Sequence, residues 1–512
     1  MKKRYIKIIA MLLAAWSSVS VLSSCINLGN STDTTVDTSG EDNGVAEYID
    51  ISNGILTPGK YYANPLAGSA ADPMIVEHEG VFYLYSTGNT TLSVRTSKNL
   101  LTWSDPKQIF ALSQTGWGVK NCWAPEVHKY NGKFYLFFCG RDSSGIFHGS
   151  VAVCDTPDGT FVPVTKEPLL NFNYSIIDLS FFCDDDGRTY ILYSKDCSTN
   201  VVNGKKVSQS YGVEVSNDFT RTIGEHVLLT TPDVSWEMKS GNTIWNEGPV
   251  VFKRNGKYYI LYSANYYQSA DYGIGYAVAD SILGPYTKPK SNCLVQGNGT
   301  TITGPGHNNL LFFGDEIYIV YHAHTIPPNT DNGRSLYINQ LIVKDDGTLY
   351  VNGPNQTRQP LPDGINGTKK YDGTVKVSAS IADSIQKPQN LVDKIASKGY
   401  DGVVHFAEGD SVTFTFDTPA DIDVMWIYGS YAYGSEAATV DVIINDTYII
   451  DGIKFSTSRG GIATAVFSKL PEGTMIEKLT LTNFKAPEPE KKGDEVGPVG
   501  ITEVMFITYE NK

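Results

Sequence analysis

The 512-residue chain is longer than one ordinary domain, and its 48 Gly and 24 Pro are spread through short turns, as in a β-rich protein. A net charge of −14 with no basic patch argues against a nucleic-acid backbone as partner and leaves neutral or polar substrates open. Aromatic residues make up 12%, with 31 Tyr and 7 Trp, which serve either as strand formers or as flat faces for sugars.

At the N-terminus, Lys2, Lys3, Arg4 and Lys7 precede an apolar run from Ile8 to Leu22, a leader pattern too short and wrongly flanked for a stable membrane span. It ends Leu22-Ser23-Ser24-Cys25, which resembles a bacterial lipobox. The resemblance implies that Cys25 carries the lipid and begins the mature protein; the alternative is a buried thiol. Residues 27–47 are dominated by Asn, Ser, Thr, Asp and Gly, too polar to build a core. Residues 1–25 are therefore read as a leader, 26–55 as a flexible tether, and the protein as lipid-anchored in the cell envelope, at the outer membrane or periplasmic face.

From residue 56 to 351 one unit recurs five times: a polar residue, a short apolar run, a turn with Gly, and an aromatic run ending in Tyr and a small residue. The copies are DPMIVEHEGVFYLYS at 72–86, APEVHKYNGKFYLFF at 124–138, DLSFFCDDDGRTYILYS at 178–194, EGPVVFKRNGKYYILYS at 247–263 and GHNNLLFFGDEIYIVYH at 306–322. Each is a β-hairpin by its turn chemistry. Starts roughly 50 to 70 residues apart leave room for a four-stranded unit each time, which predicts a five-bladed β-propeller. GRSLYINQLIVKDDGTLYV supplies the outer strands of blade five. Asp184, Asp185 and Asp186 sit at a hairpin turn before Gly187 and are read as turn chemistry.

Beyond, residues 352–371 are rich in Pro, Gly, Asn and Gln and read as a linker. Short alternating strands such as SVTFTFDTP, DVMWIYGSY and ATVDVIIND then predict a β-sandwich over 372–512. The fold class expected is all-β, a propeller followed by a sandwich. Apart from Cys25, six cysteines lie at 122, 139, 154, 183, 197 and 293, without CxxC or His-spaced zinc patterns. They are read as free thiols or as disulfides whose pairing the spacing does not fix.

If the polar residue opening each repeat holds an equivalent place in a radial array, Asp72, Asp178 and Glu247 converge near one axis. Hydrolysis of a glycosidic bond needs one carboxylic acid to protonate the leaving oxygen and one carboxylate to activate water or attack the sugar. A third carboxylate can keep the acid protonated by like-charge repulsion.

The set Ala71-Asp72-Pro73, Trp123-Ala124-Pro125-Glu126, Ile177-Asp178, Asn246-Glu247-Gly248-Pro249 and Gly306-His307-Asn308 resembles glycoside hydrolase family 43 over residues ~60–350. The resemblance implies hydrolysis, with inversion, of arabinose- or xylose-containing plant cell-wall glycans, with Asp72 as general base, Asp178 as pKa modulator and Glu247 as general acid. It also implies a base-to-acid separation of ~6.5–9.5 Å, Arg334 in the sugar pocket, with a surface arginine as the alternative, and Glu126 behind the pocket. Trp123 and Trp245 either stack on the sugar and wall the pocket or belong to the core. His307 is expected on the propeller axis, beside a calcium ion or water, or else as a core histidine; no cofactor is required. The C-terminal segment from Gln389-Asn390-Leu391-Val392-Asp393 resembles discoidin-like carbohydrate-binding jelly rolls. The leading reading is an exo-acting α-L-arabinofuranosidase, with β-xylosidase, β-galactofuranosidase, endo-arabinanase or a non-catalytic glycan-binding lipoprotein as alternatives.

Overall fold

The computed structural model describes residues 48–510, apart from 291, 328, 382–386, 397–401, 431–436, 458–460 and 488–496 and the side chains of 329–332. The leader, Cys25 and most of the tether lie outside the described residues. Five four-stranded antiparallel meanders follow one another along the chain, opening with the inner strands Met74–His78, Lys120–Tyr130, Ile176–Cys183, Thr243–Arg254 and Gly306–Phe313. Blades three and four are joined where Lys206–Ser208 runs parallel to Thr243–Trp245. The ring closes where the chain before blade one lies along the third strand of blade five, with Leu66 and Ala70 donating their N–H groups to Leu336 and Arg334.

Alternation along each strand explains why the blades stack. Successive side chains point to opposite faces, and here both faces are covered. Phe137 packs between blades two and three and Phe138 between one and two. Val251 belongs to the interface of blades three and four, Val250 and Leu310 to that of four and five, and Leu311 to that of five and one. Each inner strand therefore carries a short apolar stretch, such as VVF at 250–252 and LL at 310–311, where it lies between two neighbours.

The second domain is a sandwich of a six-stranded and a five-stranded sheet packed over Val404, Phe414, Met425, Val442, Leu479 and Phe506. Two segments assigned elsewhere by sequence contribute strands to it. Ile49–Asp50, in the expected tether, pairs in parallel with Tyr448–Lys454 at a sheet edge. Thr368–Lys370, in the expected linker, pairs with Val499–Tyr509. The rest of that linker is also held, since Gln359–Pro360 pairs with Tyr61–Tyr62.

The sandwich meets blade five at the hairpin end farther from Gly306, where Lys370 Nζ lies 2.8 Å from Glu316. The Asp184–Asp186 turn is also occupied structurally. Lys253 Nζ lies 2.8 Å from both Asp184 and Asp185, and Asp186 pairs with Arg188 at 2.8 Å. All six described cysteines are free.

Candidate active site

The inner strands of blades two to five break register near their first residues, between Trp123 and Glu126, Ile177 and Ser180, Glu247 and Val250, and Gly306 and Asn309. In blade one the ladder is regular from Met74 onward and Asp72 lies just before it. In each blade one residue at this place adopts positive φ: Asp72 (51°), Ala124 (43°), Asp178 (58°), Gly248 (59°) and His307 (50°). Such a bulge re-aims a side chain, and Asp, His and Gly are among the residues that tolerate the left-handed region. This corrects one expectation. Asp72 and Asp178 hold equivalent places, but the equivalent of both in blade four is Gly248; Glu247 stands one residue earlier, in register with Trp123, Ile177 and Gly306. Gly248 suits its place twice over, since a Cβ there would also lie 3.3 Å from His307 Nδ1.

A ring of side chains in or just beyond the second strands holds these five places. The backbone N–H of Ala124 donates to Thr87 Oγ1 (2.9 Å), that of Gly248 to Ser194 Oγ (3.1 Å), that of His307 to Ser263 Oγ (2.7 Å) and that of Asp72 to His322 Nδ1 (3.2 Å). Each of these four bonds joins one blade to the next, the last joining blade five to blade one. At the equivalent place in blade three the Cys139 thiol, which donates to the Trp123 carbonyl at 3.7 Å, lies against the Asp178 backbone. The same side chains reach the carboxylates: Thr87 Oγ1 donates to Asp72 Oδ2, and Ser194 Oγ to Asp178 Oδ2 at 3.3 Å.

The three carboxylates meet in one buried pocket but have unlike environments. Arg334 Nη1 donates to Asp72 Oδ1 at 2.6 Å. Burial alone would push the Asp72 carboxyl up; Arg334 first, then His307, His322 and the Thr87 hydroxyl, outweigh it and hold it well below the usual carboxylate range. The His322 imidazole is itself pushed far below its ordinary value, by burial and then by Arg334. It is therefore read as an acceptor for the Asp72 N–H, and Arg334 is the leading charge that holds Asp72 low. Glu247 is moved the other way. Burial and then the nearby Asp178 raise its carboxyl well above the ordinary value, against the opposing hydrogen bond from Tyr272 Oη to Oε1 (2.9 Å). Asp178 is also raised, chiefly by burial, although Gly248 N–H and Ser194 both donate to it.

Trp245 lies two residues before Glu247, its ring 5.4 Å from that of Tyr266. Trp123 holds the Glu247-equivalent place in blade two and packs on Phe147 at 4.7 Å. Glu126 lies deeper, bonded to Asn309 Nδ2 (2.9 Å) and His128 Nε2 (2.8 Å). His307 Nδ1 is 3.6 Å from Asp72 Oδ1. Among the described residues no group of three or more His, Cys, Asp or Glu is placed to hold a metal, so a calcium ion here, which takes six to eight oxygen ligands, would have His307 as an accessory ligand and water for most of the rest. Tyr272, Ser194 and His322 had no place in the sequence reading. Tyr272 carries a signal in retrospect: its ring lies where a Cβ on Gly306 would be, 2.0 Å away, so the Gly-Pro-Gly before His307 makes room for the tyrosine that touches Glu247.

A propeller that brings together one carboxyl whose pKa is held low and one whose pKa is held high has what the acid–base chemistry of a glycoside hydrolase requires. Residues 62–349 match the profile of Glycosyl hydrolases family 43. The chain belongs to that family and is a glycosidase. It is 29% identical over 312 residues to a β-D-galactofuranosidase of Aspergillus niger, covering 56% of this chain and 83% of that protein. It is 26% identical over 415 residues to an α-L-arabinofuranosidase of Humicola insolens, covering 75% and 82%. A crystal structure of a thermostable family-43 glycoside hydrolase superposes with TM-score 0.56 at 40% identity, covering 59% of this chain and 99% of that one.

Proposed function

We propose that the protein is an inverting, exo-acting α-L-arabinofuranosidase that removes arabinofuranosyl groups from plant cell-wall polysaccharide or its oligosaccharides. The observation that carries the acid–base assignment is the opposed environments of Asp72 and Glu247: one carboxyl is held ionised by Arg334, the other held protonated by burial and Asp178. Asp72 takes a proton from water as the oxygen attacks the anomeric carbon. Glu247 gives its proton to the glycosidic oxygen on the opposite side, and the leaving sugar departs as an alcohol. Asp178 keeps Glu247 protonated and aligned. The furanosidases of Aspergillus niger and Humicola insolens support a furanosyl group in the pocket, with β-xylosidase action the second reading. The leader and Cys25 support a lipid anchor in the cell envelope. Rates on nitrophenyl α-L-arabinofuranoside, β-D-xyloside and β-D-galactofuranoside test the sugar, with arabinofuranoside expected to be hydrolysed fastest. NMR of the first-formed anomer tests inversion.

The ring of second-strand side chains adds a prediction. Ser194→Ala removes a hydrogen bond that favours ionised Asp178 and one of two acceptors for the Gly248 N–H. Asp178 then ionises less readily and repels the Glu247 carboxylate less. The alkaline limb of the kcat profile should move to lower pH, with kcat at neutral pH down about 2- to 10-fold, the worth of one hydrogen bond. An unmoved limb would remove Ser194 from the acid's environment.

A further inference from the structure

The segment between the second and third strands of blade four, residues 265–272, ends in Tyr272, which holds Glu247, and carries two half-exposed rings, Tyr266 (39%) and Tyr267 (38%). Trp245 and Glu247, two apart on an extended strand, share a face. Gly241 and Asn242 ahead of Trp245 are exposed and residues 246–251 are buried, so Trp245 stands ~6–7 Å nearer the solvent end of the strand than the acid. Its ring lies beside Cys197. Tyr266 lies against it, and Tyr267 meets Tyr266 edge-on at 4.9 Å. The Arg334 guanidinium lies 5.0 Å from the centre of the Tyr267 ring, and His324 Nε2 is 2.8 Å from the Tyr267 carbonyl. An aromatic arc therefore runs along the mouth from the proton donor to the arginine beside Asp72.

A proton donor must face the glycosidic oxygen, so the sugar beyond that oxygen lies on the Glu247 side. In an exo-acting pocket the terminal sugar enters first and the leaving sugar stays toward the mouth. Both constraints bring the leaving sugar over Tyr266 and Trp245. A pyranose chair turns a flat patch of axial C–H groups to such a surface, which the negative face of an aromatic ring attracts; a puckered furanose has no comparable face. We propose that Tyr266, with Trp245 and Tyr267 beside it, is the platform for the leaving sugar, and that this sugar is a pyranose such as a xylosyl unit of a xylan chain. The inference rests on the glycosidase reading of the same pocket and adds the chemistry of the bond's other partner.

The test compares two unactivated substrates that need Glu247 equally: methyl α-L-arabinofuranoside, whose leaving group is too small to reach the arc, and an arabinofuranosyl-xylotriose. For Tyr266→Ala the ratio of kcat/KM for the oligosaccharide to that for the methyl glycoside should fall roughly 10-fold, as when an aromatic anchor is truncated. Tyr266→Phe, which keeps the ring, should retain the ratio. An unchanged ratio in Tyr266→Ala would overturn the platform. A second readout is independent of hydrolysis: xylotriose alone should perturb the fluorescence of Trp245 in the otherwise intact protein, and bind more weakly to Tyr266→Ala. If neither arabinofuranoside is cleaved but xylotriose binds in this way, the sugar assigned to the pocket is wrong and the platform stands. If both are cleaved and xylotriose binds equally to wild type and Tyr266→Ala, the platform is wrong and the enzyme assignment stands.

Discussion

Asp72→Asn is expected to lower turnover by about 10²- to 10⁴-fold, the usual worth of a general base, and to do so equally on an aryl arabinofuranoside and on an arabinose-bearing oligosaccharide. Every turnover consumes one attacking water whatever leaves, so a good leaving group gives no relief. The local consequences point the same way. The Asp72 carboxylate is the anion that Arg334 Nη1 meets at 2.6 Å, and an amide in its place leaves a guanidinium without its charge partner in a largely buried pocket. The fold should survive, because the ring bond at this position is made by the Asp72 backbone N–H to His322, not by the side chain. Steady-state rates on both substrates, with circular dichroism as a check on folding, decide the matter. A loss confined to the poor leaving group would mean that Asp72 and Glu247 have exchanged roles.

The propeller was legible because its signal is redundant. Five hairpins repeat one turn chemistry, and strands buried on both faces need unbroken apolar runs such as YILY at 190–193 and YYILY at 258–262. The convergence of three carboxylates was legible for the same reason. Their inequivalence was not. A bulge shifts register by one residue without altering the residue types around it, so Glu247 before Gly248 and Asp178 before Leu179 look alike in sequence although only the aspartate sits at the left-handed position.

The interblade ring was half visible. Each aromatic run ends near a small or polar residue, at Thr87, Cys139, Ser194, Ser263 and His322, but only the fold shows that all five face the backbone of the next blade. The strand at Ile49–Asp50 could not have been read, since two residues carry no period. Thr368–Lys370 lies in a stretch whose Pro, Gly and Asn content describes its turns rather than its pairing.

These observations connect specificity to stability. The segment 265–272 supplies the bond to Glu247 and the exposed rings at the mouth, and Asn265 anchors it by donating to the Trp236 and Asp271 carbonyls. Acid positioning and recognition of the leaving sugar are thus carried by one segment, and changes in its exposed residues can alter the second while Tyr272 keeps the first.

Glu247→Gln should separate leaving-group protonation from everything else in the pocket. A nitrophenolate leaves without help, so turnover of nitrophenyl arabinofuranoside should stay near the wild-type value. An oligosaccharide alkoxide does not, and the loss there should reach about 10²- to 10⁴-fold. In the wild type the acid must be protonated to release an oligosaccharide, so activity on that substrate declines as pH rises through the raised pKa of Glu247; on the aryl substrate, which needs no proton from Glu247, wild type and variant should lack that alkaline limb alike. The same ionisation has a thermodynamic sign. Glu247 binds its proton more tightly folded than unfolded, so its contribution favours the native state below the unfolded value of about 4.3 and is lost progressively as pH rises toward the folded pKa. Glutamine keeps an acceptor for Tyr272 and does not ionise. The variant should therefore melt at a higher temperature than wild type at pH 7, with the difference shrinking toward pH 4. An inactive variant with no gain in stability at neutral pH would show that Glu247 is ionised in the native pocket, and it could not then be the proton donor.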